Sequence, residues 1–152
     1  MRILGNVIWF CFGGFLVALF NFIVGVILIA LVITAPIGMG LVQFSKFCLF
    51  PFTTAMVSKS EMDIKQNSIW RMYSGVLKII YIVSFGWLLV LITIPSILIG
   101  YLLIITIPAA IAMSKSLGTI LNPVGKICVP ISVRDELEKR RATEIANKLT
   151  GK

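Results

Sequence analysis

Residues Ile3–Ser45 form an uncharged stretch of 43 residues, ILGNVIWFCFGGFLVALFNFIVGVILIALVITAPIGMGLVQFS. A second uncharged stretch, of 36 residues, extends from Ile79 to Ser114. Because a helix needs about 20 apolar residues to cross the hydrocarbon core of a bilayer, each stretch is long enough for two crossings. Unpaired backbone groups are costly in lipid, so both stretches are predicted to be helical.

The composition agrees with a membrane location. Of the 152 residues, 59% are hydrophobic and 13% are charged, and the mean hydropathy is +1.03. Soluble domains are about 45–50% apolar and about 25% charged, so this composition excludes an ordinary water-soluble domain. It also excludes a disordered chain, which requires low hydrophobicity. Histidine is absent from the sequence, which excludes histidine-based acid–base or metal chemistry.

Positive charge dominates each of the three polar segments, and the net charge is +8. Lys and Arg favour the cytoplasmic side of a membrane. If each uncharged stretch crosses an even number of times, all three polar segments remain cytoplasmic, with both termini inside. A single crossing per stretch would place five cations of the middle segment outside. The N-terminal uncharged stretch is too long for a cleaved signal peptide, whose apolar region has about 7–15 residues. Topology therefore accounts for the charge, and no nucleic-acid partner is predicted.

The two uncharged stretches align with each other without gaps when Pro36 is placed on Pro108, and we call this shift the repeat offset. It predicts a tandem duplication in which both copies have the same orientation, with the symmetry axis along the membrane normal. Coincidence in a biased composition is the alternative. The other identical pairs that share the repeat offset include Pro51 and Pro123, Gly14 and Gly86, and Thr34 and Thr106.

The predicted fold is an all-α membrane protein with two tandem helical-hairpin repeats and about four transmembrane helices. Turns are expected at Asn21–Gly25 and Thr93–Ser96, where turn-forming residues interrupt the apolar sequence. The first helices then cover roughly 4–20 and 76–92, and the second helices 25–47 and 97–119. The predicted organisation is membrane repeat 1 (1–57), a cytoplasmic linker (58–75), membrane repeat 2 (76–130) and a charged cytoplasmic helical tail (131–152).

Each predicted second helix contains a proline that would kink it, Pro36 or Pro108, two residues after a threonine, Thr34 or Thr106. A proline removes one helical hydrogen bond, and a nearby threonine hydroxyl compensates for part of the loss. A purely structural kink is one interpretation, and a transport path at paired broken helices is the other. The segment after each proline either continues across the membrane or lies along its surface.

The second helices also carry small residues at intervals of four, which place them on one helical face. Such faces let helix backbones approach closely in lipid. Packing within one molecule is one interpretation, and packing around an oligomer axis or pore is the other. The predicted packing residues are Ala30, Gly38, Ala110, Ser114 and Gly118.

Two polar segments are expected at the membrane surface. Trp70, Arg71 and Tyr73 combine aromatic and basic side chains suited to the headgroup layer. In the tail, Lys139, Arg140 and Arg141 are expected to contact anionic lipid at the cytoplasmic face, each contributing about 1 kcal/mol. The pairs Asp135–Lys139, Glu136–Arg140 and Glu144–Lys148 have the i,i+4 spacing that supports a helix.

The sequence lacks the residue patterns that enzymes use. Neither uncharged stretch contains the carboxylate that intramembrane proton relays require. The three cysteines are too scattered for a metal site, and the sequence has no phosphate-binding or nucleophile motif. We therefore predict no catalytic, cofactor-binding or metal-binding residues, no cofactor and no enzyme activity.

The surroundings of the prolines resemble the YccF inner-membrane component family of bacteria, whose pattern contains two copies of a glycine-isoleucine-proline element. The first copy corresponds to Ile33–Gly38 followed by Leu49–Phe52, and the second to Ile105–Pro108 followed by Leu121–Lys126. Alanine or isoleucine replaces the first glycine of each element here. The resemblance covers roughly residues 4–130 and implies a bacterial inner-membrane protein of unassigned activity, without catalytic residues to transfer.

Two functional hypotheses follow. The first is a small oligomeric pore or transport component built on the kinked second helices; four helices enclose little space, so it requires a homo-oligomer. The second is a structural or accessory subunit that binds another membrane protein through its small-residue faces. In both, the lipid bilayer is the principal partner.

Overall fold

The computed structural model describes residues 2–62, 67–102 and 106–150. The chain is predominantly helical, which confirms the predicted class in its coarse form. Residues 63–66 of the predicted linker and 103–105 of the predicted second helix lie outside the described residues. The elements in chain order are α1 (Arg2–Trp9), α2 (Phe15–Ala30), α3 (Ala35–Leu49), β1 (Thr54–Ser58), α4 (Ser68–Tyr81), α5 (Trp87–Leu102), α6 (Ile107–Leu121), β2 (Lys126–Pro130) and α7 (Ile131–Thr150).

Short irregular helices connect some of these elements. A π-helical segment, Phe10–Gly14, joins α1 to α2, and a second, Ile82–Gly86, joins α4 to α5. A 3₁₀ turn, Lys59–Met62, follows β1. The element bounds of the first half recur in the second half at the repeat offset. The first π segment corresponds to the second, α2 to α5, α3 to α6, and β1 to β2.

The predicted hairpin turns at Asn21–Gly25 and Thr93–Ser96 are wrong, because α2 and α5 continue through both segments. The Asn21 side-chain amide donates to the Val17 carbonyl at 2.8 Å, and the Thr93 hydroxyl donates to the Leu89 carbonyl at 2.6 Å. A polar side chain that bonds back to its own helix no longer favours a turn there. Pro95 consequently lies within a helix.

The first hairpin turns instead at residues 31–34. Val32 adopts a φ of 55°, a left-handed conformation that a β-branched residue rarely takes. The Thr34 hydroxyl donates to the Leu28 carbonyl at 2.8 Å, and the Thr106 hydroxyl donates to the Gly100 carbonyl at the same distance. These two bonds occupy equivalent positions at the repeat offset, so the two halves end their long helices in the same way.

The prediction of Pro-kinked second helices is also wrong. Pro36 and Pro108 lie in the first turns of α3 and α6, immediately after the threonines. In the first helical turn a backbone N–H has no partner within the helix, so proline is well tolerated there. These prolines begin new helices and leave no broken backbone inside a helix.

Among the described residues, one helix is long and apolar enough to cross a bilayer: Ser68–Leu102, which comprises α4, the second π segment and α5. Phe15–Ala30 and Ile107–Leu121 are apolar but shorter. With 15 residues each, α3 and α6 are about 22 Å long, which is less than the roughly 30 Å of a hydrocarbon core. The predicted number of four transmembrane helices is therefore not established.

An antiparallel pair of strands connects the two halves, and the sequence analysis did not predict it. β1 pairs with β2 so that Thr54 faces Pro130 and Met56 faces Cys128. Backbone bonds from Lys59 N–H to the Gly125 carbonyl (2.8 Å) and from Ile131 N–H to the Thr53 carbonyl (3.1 Å) extend the pairing. Met56 and Cys128 are themselves related by the repeat offset, so each half makes the same contacts with the other, as in a twofold-symmetric pair.

The buried core lies where the first hairpin meets the strands. It contains Ala18, Phe44, Phe47 and Cys48, with the two phenylalanine rings stacked at 5.9 Å between centroids. The Trp9 indole N–H donates to the Cys48 carbonyl at 2.6 Å and fixes α1 against the end of α3. The core thus anchors the elements that surround the cavity described next.

Candidate functional site

A cavity of about 330 Å³ lies between the first hairpin, the start of α4 and β2. We refer to it as the basic cavity. Its apolar wall comes from α2 and α3 and includes Ile29, Met39 and Val42. Its polar wall is formed by Gln43, Lys59, Asn67, Trp70, Ser74 and Lys126. Carboxylates are absent from the described residues that line it.

Lys126, the first residue of β2, is the better-anchored cation of the cavity. Its ammonium group donates to the Gly118 carbonyl and, at 3.4 Å, to the Thr119 hydroxyl, both near the end of α6. Burial lowers the pKa of Lys126, because a charged group loses hydration there. The site therefore holds a positive charge that water only partly stabilises.

The nearby acidic residue Glu61 offsets part of this charge, since its carboxylate opposes the lowering of the Lys126 pKa, but the same carboxylate is also paired with a second cation. The Glu61 carboxylate lies 2.9 Å from the Arg141 guanidinium, in a bridge between the 3₁₀ turn and α7. Lys59, which is half-buried, lines the same cavity and adds a second positive charge. The electrostatics of the cavity thus favour an anion.

Neutral groups complete the polar wall. The Gln43 side-chain oxygen accepts the Cys128 N–H at 3.3 Å, which leaves the Gln43 amide hydrogens as donors. The Trp70 ring packs edge-on against Tyr73, with 6.2 Å between centroids, and about half of Trp70 is exposed. An aromatic ring beside cations at a cavity mouth is typical of the membrane headgroup layer.

The residues predicted to form a transport path have local structural roles. Thr34 and Thr106 each bond to a carbonyl six residues earlier in their own half. Pro36 is buried and lines the basic cavity, whereas Pro108 begins α6. Both threonine hydroxyls donate to backbone, and each threonine immediately precedes the helix that contains its proline, so these residues define the start of a helix.

The predicted small-residue faces divide into internal and exposed parts. Gly38 packs against Gly25 and Ile29 of the preceding helix, and Ala110, which aligns with Gly38 at the repeat offset, packs against Gly100. The Ser114 hydroxyl donates to the Ala110 carbonyl at 2.8 Å. Ala30 and Gly118 are exposed. The closest of these contacts thus lie within each hairpin.

The predicted membrane-surface residues lie on exposed parts of α4 and α7. Arg71 is exposed, and the Tyr73 hydroxyl donates to the Ile33 carbonyl in the turn of the first hairpin. Arg140 pairs with Glu136 at 2.7 Å, Arg141 pairs with Glu61, and Lys139 is exposed. The predicted Glu144–Lys148 pair also forms, at 2.8 Å.

The sequence analysis did not identify Gln43, Lys59 and Lys126 as site residues. Gln43 and Lys126 are far apart in sequence and meet only because β1 and β2 pair across the two halves. Short β-branched segments after Pro51 and Pro123 were the available signal, since they recur at the repeat offset. A five-residue strand following a helix is too short to predict with precision.

The fold and the cavity define a class: a helical protein with an extensive apolar exterior and a basic polar layer, as integral membrane proteins have. Residues 4–54 match the YccF inner membrane component domain, which confirms the resemblance deduced from the sequence. The chain is 27% identical over 143 residues to inner membrane protein YccF of Escherichia coli (strain K12), an alignment that covers 93% of this chain and 97% of the relative. The protein of the same name from Shigella flexneri gives the same values. No solved structure gives a significant match. These similarities support an inner-membrane location.

Proposed function

We propose that the protein is a multi-pass inner-membrane protein that acts as a structural or accessory subunit of another membrane protein, and not as an enzyme. Both termini lie on the cytoplasmic side in this proposal. The observation that carries it is the contrast between the inward packing of Gly38 and Ala110 and the exposure of the outer apolar faces. In the described residues, the closest helix contacts lie within each hairpin, and the apolar outer faces of the helices remain exposed.

The outer face of α5 is the clearest example of this exterior. Leu91, Ile92 and Leu98 are each more than half exposed. Only 11% of the apolar part of the helix Ser68–Leu102 is buried within the molecule. In a bilayer such a surface contacts either lipid tails or another transmembrane helix.

The equivalence of the two halves supports their proposed origin by duplication. The Tyr81 hydroxyl donates to the Ile120 carbonyl at 3.3 Å, in the position that the Trp9–Cys48 bond occupies in the first half. Different side chains therefore make the same connection at the same offset. Two similar hairpins offer two similar outer surfaces, which suits a subunit that bridges partners.

The pore hypothesis has less support, because its structural basis was a pair of helices broken by proline. Pro36 and Pro108 begin helices instead. The hydroxyls of Thr93 and Ser96 donate to carbonyls of α5. Polar groups satisfied within a helix contribute little to a polar path through the bilayer. A homo-oligomeric pore is accordingly the competing outcome of the test.

Photocrosslinking in native membranes tests the accessory role. We would replace Leu98, which is 62% exposed, or its neighbour Ile97, which is 7% exposed, with p-benzoylphenylalanine. We expect a discrete crosslinked product with one other membrane protein from position 98 and a much weaker one from position 97. The two positions share a helix and a depth, so they differ mainly in what they face.

The same experiment separates the two hypotheses. A product with twice the mass of the chain at position 98, together with solute leakage from liposomes that contain the purified protein, would support a homo-oligomeric pore. Crosslinks to lipid alone would contradict both a partner and an oligomer at this face.

A further inference from the structure

We propose that the basic cavity binds the phosphate-bearing headgroup of an anionic phospholipid. The inference is independent of the accessory role, because it concerns the isolated chain and a single surface. It rests on the combination, in one cavity, of two lysines, neutral hydrogen-bond donors, an aromatic ring and an apolar wall.

The charges of the cavity indicate the sign of the ligand. Lys59 and Lys126 line it, and the nearby Glu61 is engaged by Arg141. An ammonium group has three donors, and Lys126 directs its bonds to Gly118 and Thr119, which leaves one donor for a ligand. Phosphate is an anion that lysine binds well as a point charge.

The neutral groups suit the oxygen-rich part of a headgroup. The Gln43 oxygen accepts the Cys128 N–H, and the Gln43 side chain lines the cavity, so its NH2 group can serve as a donor there. Asn67 and Ser74 add further hydrogen-bonding groups on the α4 side. With the two lysines, donors therefore come from α3, the α4 side, the 3₁₀ turn and β2, as in a site that encloses a headgroup.

The apolar wall indicates a lipid in preference to a free anion. Ile29, Met39 and Val42 continue the cavity along the first hairpin, and Ile69 and Met72 are exposed beside Trp70 on α4. A soluble phosphate has no apolar portion that would bury these side chains. A cavity of about 330 Å³ lies near the lower limit of ligand sites, about 300 Å³, and so suits a headgroup and not a whole lipid.

Lipid retention by the full chain tests this proposal. Purified protein would be mixed with phosphatidylglycerol or phosphatidylcholine in detergent, and bound lipid would be counted by native mass spectrometry. We expect preferential retention of phosphatidylglycerol. Because each lysine near a charged headgroup contributes about 1 kcal/mol, Lys59→Gln and Lys126→Gln should each weaken retention about 5-fold.

Matched variants separate the cavity from general charge effects. Lys139→Gln removes the same charge from the exposed tail and should leave retention in the cavity unchanged. Lys59→Arg keeps the charge and should retain the lipid, which rescues the Gln variant. If Lys126→Gln fails to fold, as judged by circular dichroism, the Lys59 variants still decide the question.

Three results would overturn the proposal. The first is equal retention of the anionic and the zwitterionic lipid. The second is an equal effect of Lys59→Gln and Lys139→Gln. The third is complete displacement of phosphatidylglycerol by millimolar inorganic phosphate, which would identify a site for free phosphate.

Discussion

Substituting Gly38 by alanine tests whether close backbone packing holds the first hairpin together. A Cβ atom at residue 38 would lie 2.5 Å from the Gly25 carbonyl oxygen and 2.8 Å from the Ile29 nitrogen. Both neighbours are backbone atoms of α2, so they cannot rotate away as a side chain would. The two helices must separate instead.

The size of this separation sets the expected loss of stability. Ordinary van der Waals contact begins near 3.4 Å, so the helices must move apart by about 0.9 Å. A gap of about 0.5–1 Å removes roughly a quarter to a half of the dispersion energy of each contact along the interface. Overpacking of this kind typically costs about 1–3 kcal/mol, and we expect Gly38→Ala to be destabilised within that range.

Gly118→Ala is the matched control, because Gly118 belongs to the equivalent predicted face of the second half. A Cβ at residue 118 would meet only the Lys126 ammonium, at an ordinary 3.5 Å. Alanine has a higher helix propensity than glycine by about 1 kcal/mol, so this variant should be as stable as the parent or more stable. Thermal unfolding in detergent, followed by circular dichroism, measures both. Equal midpoints for the two variants would refute the reasoning.

Three further predictions follow from local geometry. Gly13 has a φ of +98° and open space around it, so Gly13→Ala should lower the midpoint of thermal unfolding. Gly75→Ala, also in open space but without a positive φ, should leave the midpoint unchanged, and equal midpoints for the two variants would contradict backbone strain at residue 13. Cysteines placed at Val32 and Ile69 in a variant without native cysteines should label from the same side of the membrane, because the turn contacts α4; labelling from opposite sides would contradict this contact. Burial raises the pKa of the Cys128 thiol, so a water-soluble maleimide should alkylate it more slowly in the folded protein than in denaturant, and equal rates would argue against its burial.

The helical class could be predicted because it depends on long patterns. Two uncharged stretches determine helices in lipid whatever their exact ends, and the repeat offset recurs in the bounds of α3 and α6. The helical tail was predicted as well: α7 begins at Ile131, and two of the three expected i,i+4 pairs form. The tail also contains an i,i+4 pair that was not predicted, Arg134–Glu138.

The turns could not be predicted, because the same polar residue favours a turn in water and is compatible with a continuous helix in lipid. Asn21 and Thr93 favour turns where water competes for the backbone. Here their side chains bond to carbonyls of their own helices. Pro36 was interpreted as an interruption within a helix, but a proline is equally suited to the first turn of a new one. Thr34 and Pro36 together form a helix end followed by a helix start.

The basic cavity depends on contacts between the halves, for which the sequence has no local signal. Its polar wall combines α3, β2 and α4, and only the register of β1 with β2 brings them together. The aromatic and basic character of Trp70 and Arg71 predicted a membrane-surface segment. It did not predict which part of the first hairpin that segment would meet.

The contact between Tyr73 and Ile33 has a consequence for membrane topology. Spanning hairpins with a cytoplasmic linker would place the turn at residues 31–34 on the far side of the bilayer from α4. Instead the Tyr73 hydroxyl of α4 donates to the Ile33 carbonyl in the turn, and Ile29 and Pro36, which flank the turn, line the basic cavity with Lys59 and Lys126. Because of this contact, we expect the turn to share one polar layer with the linker, so that the first hairpin enters and leaves the bilayer from the same side. The positive charges of the linker then favour the cytoplasmic layer for both.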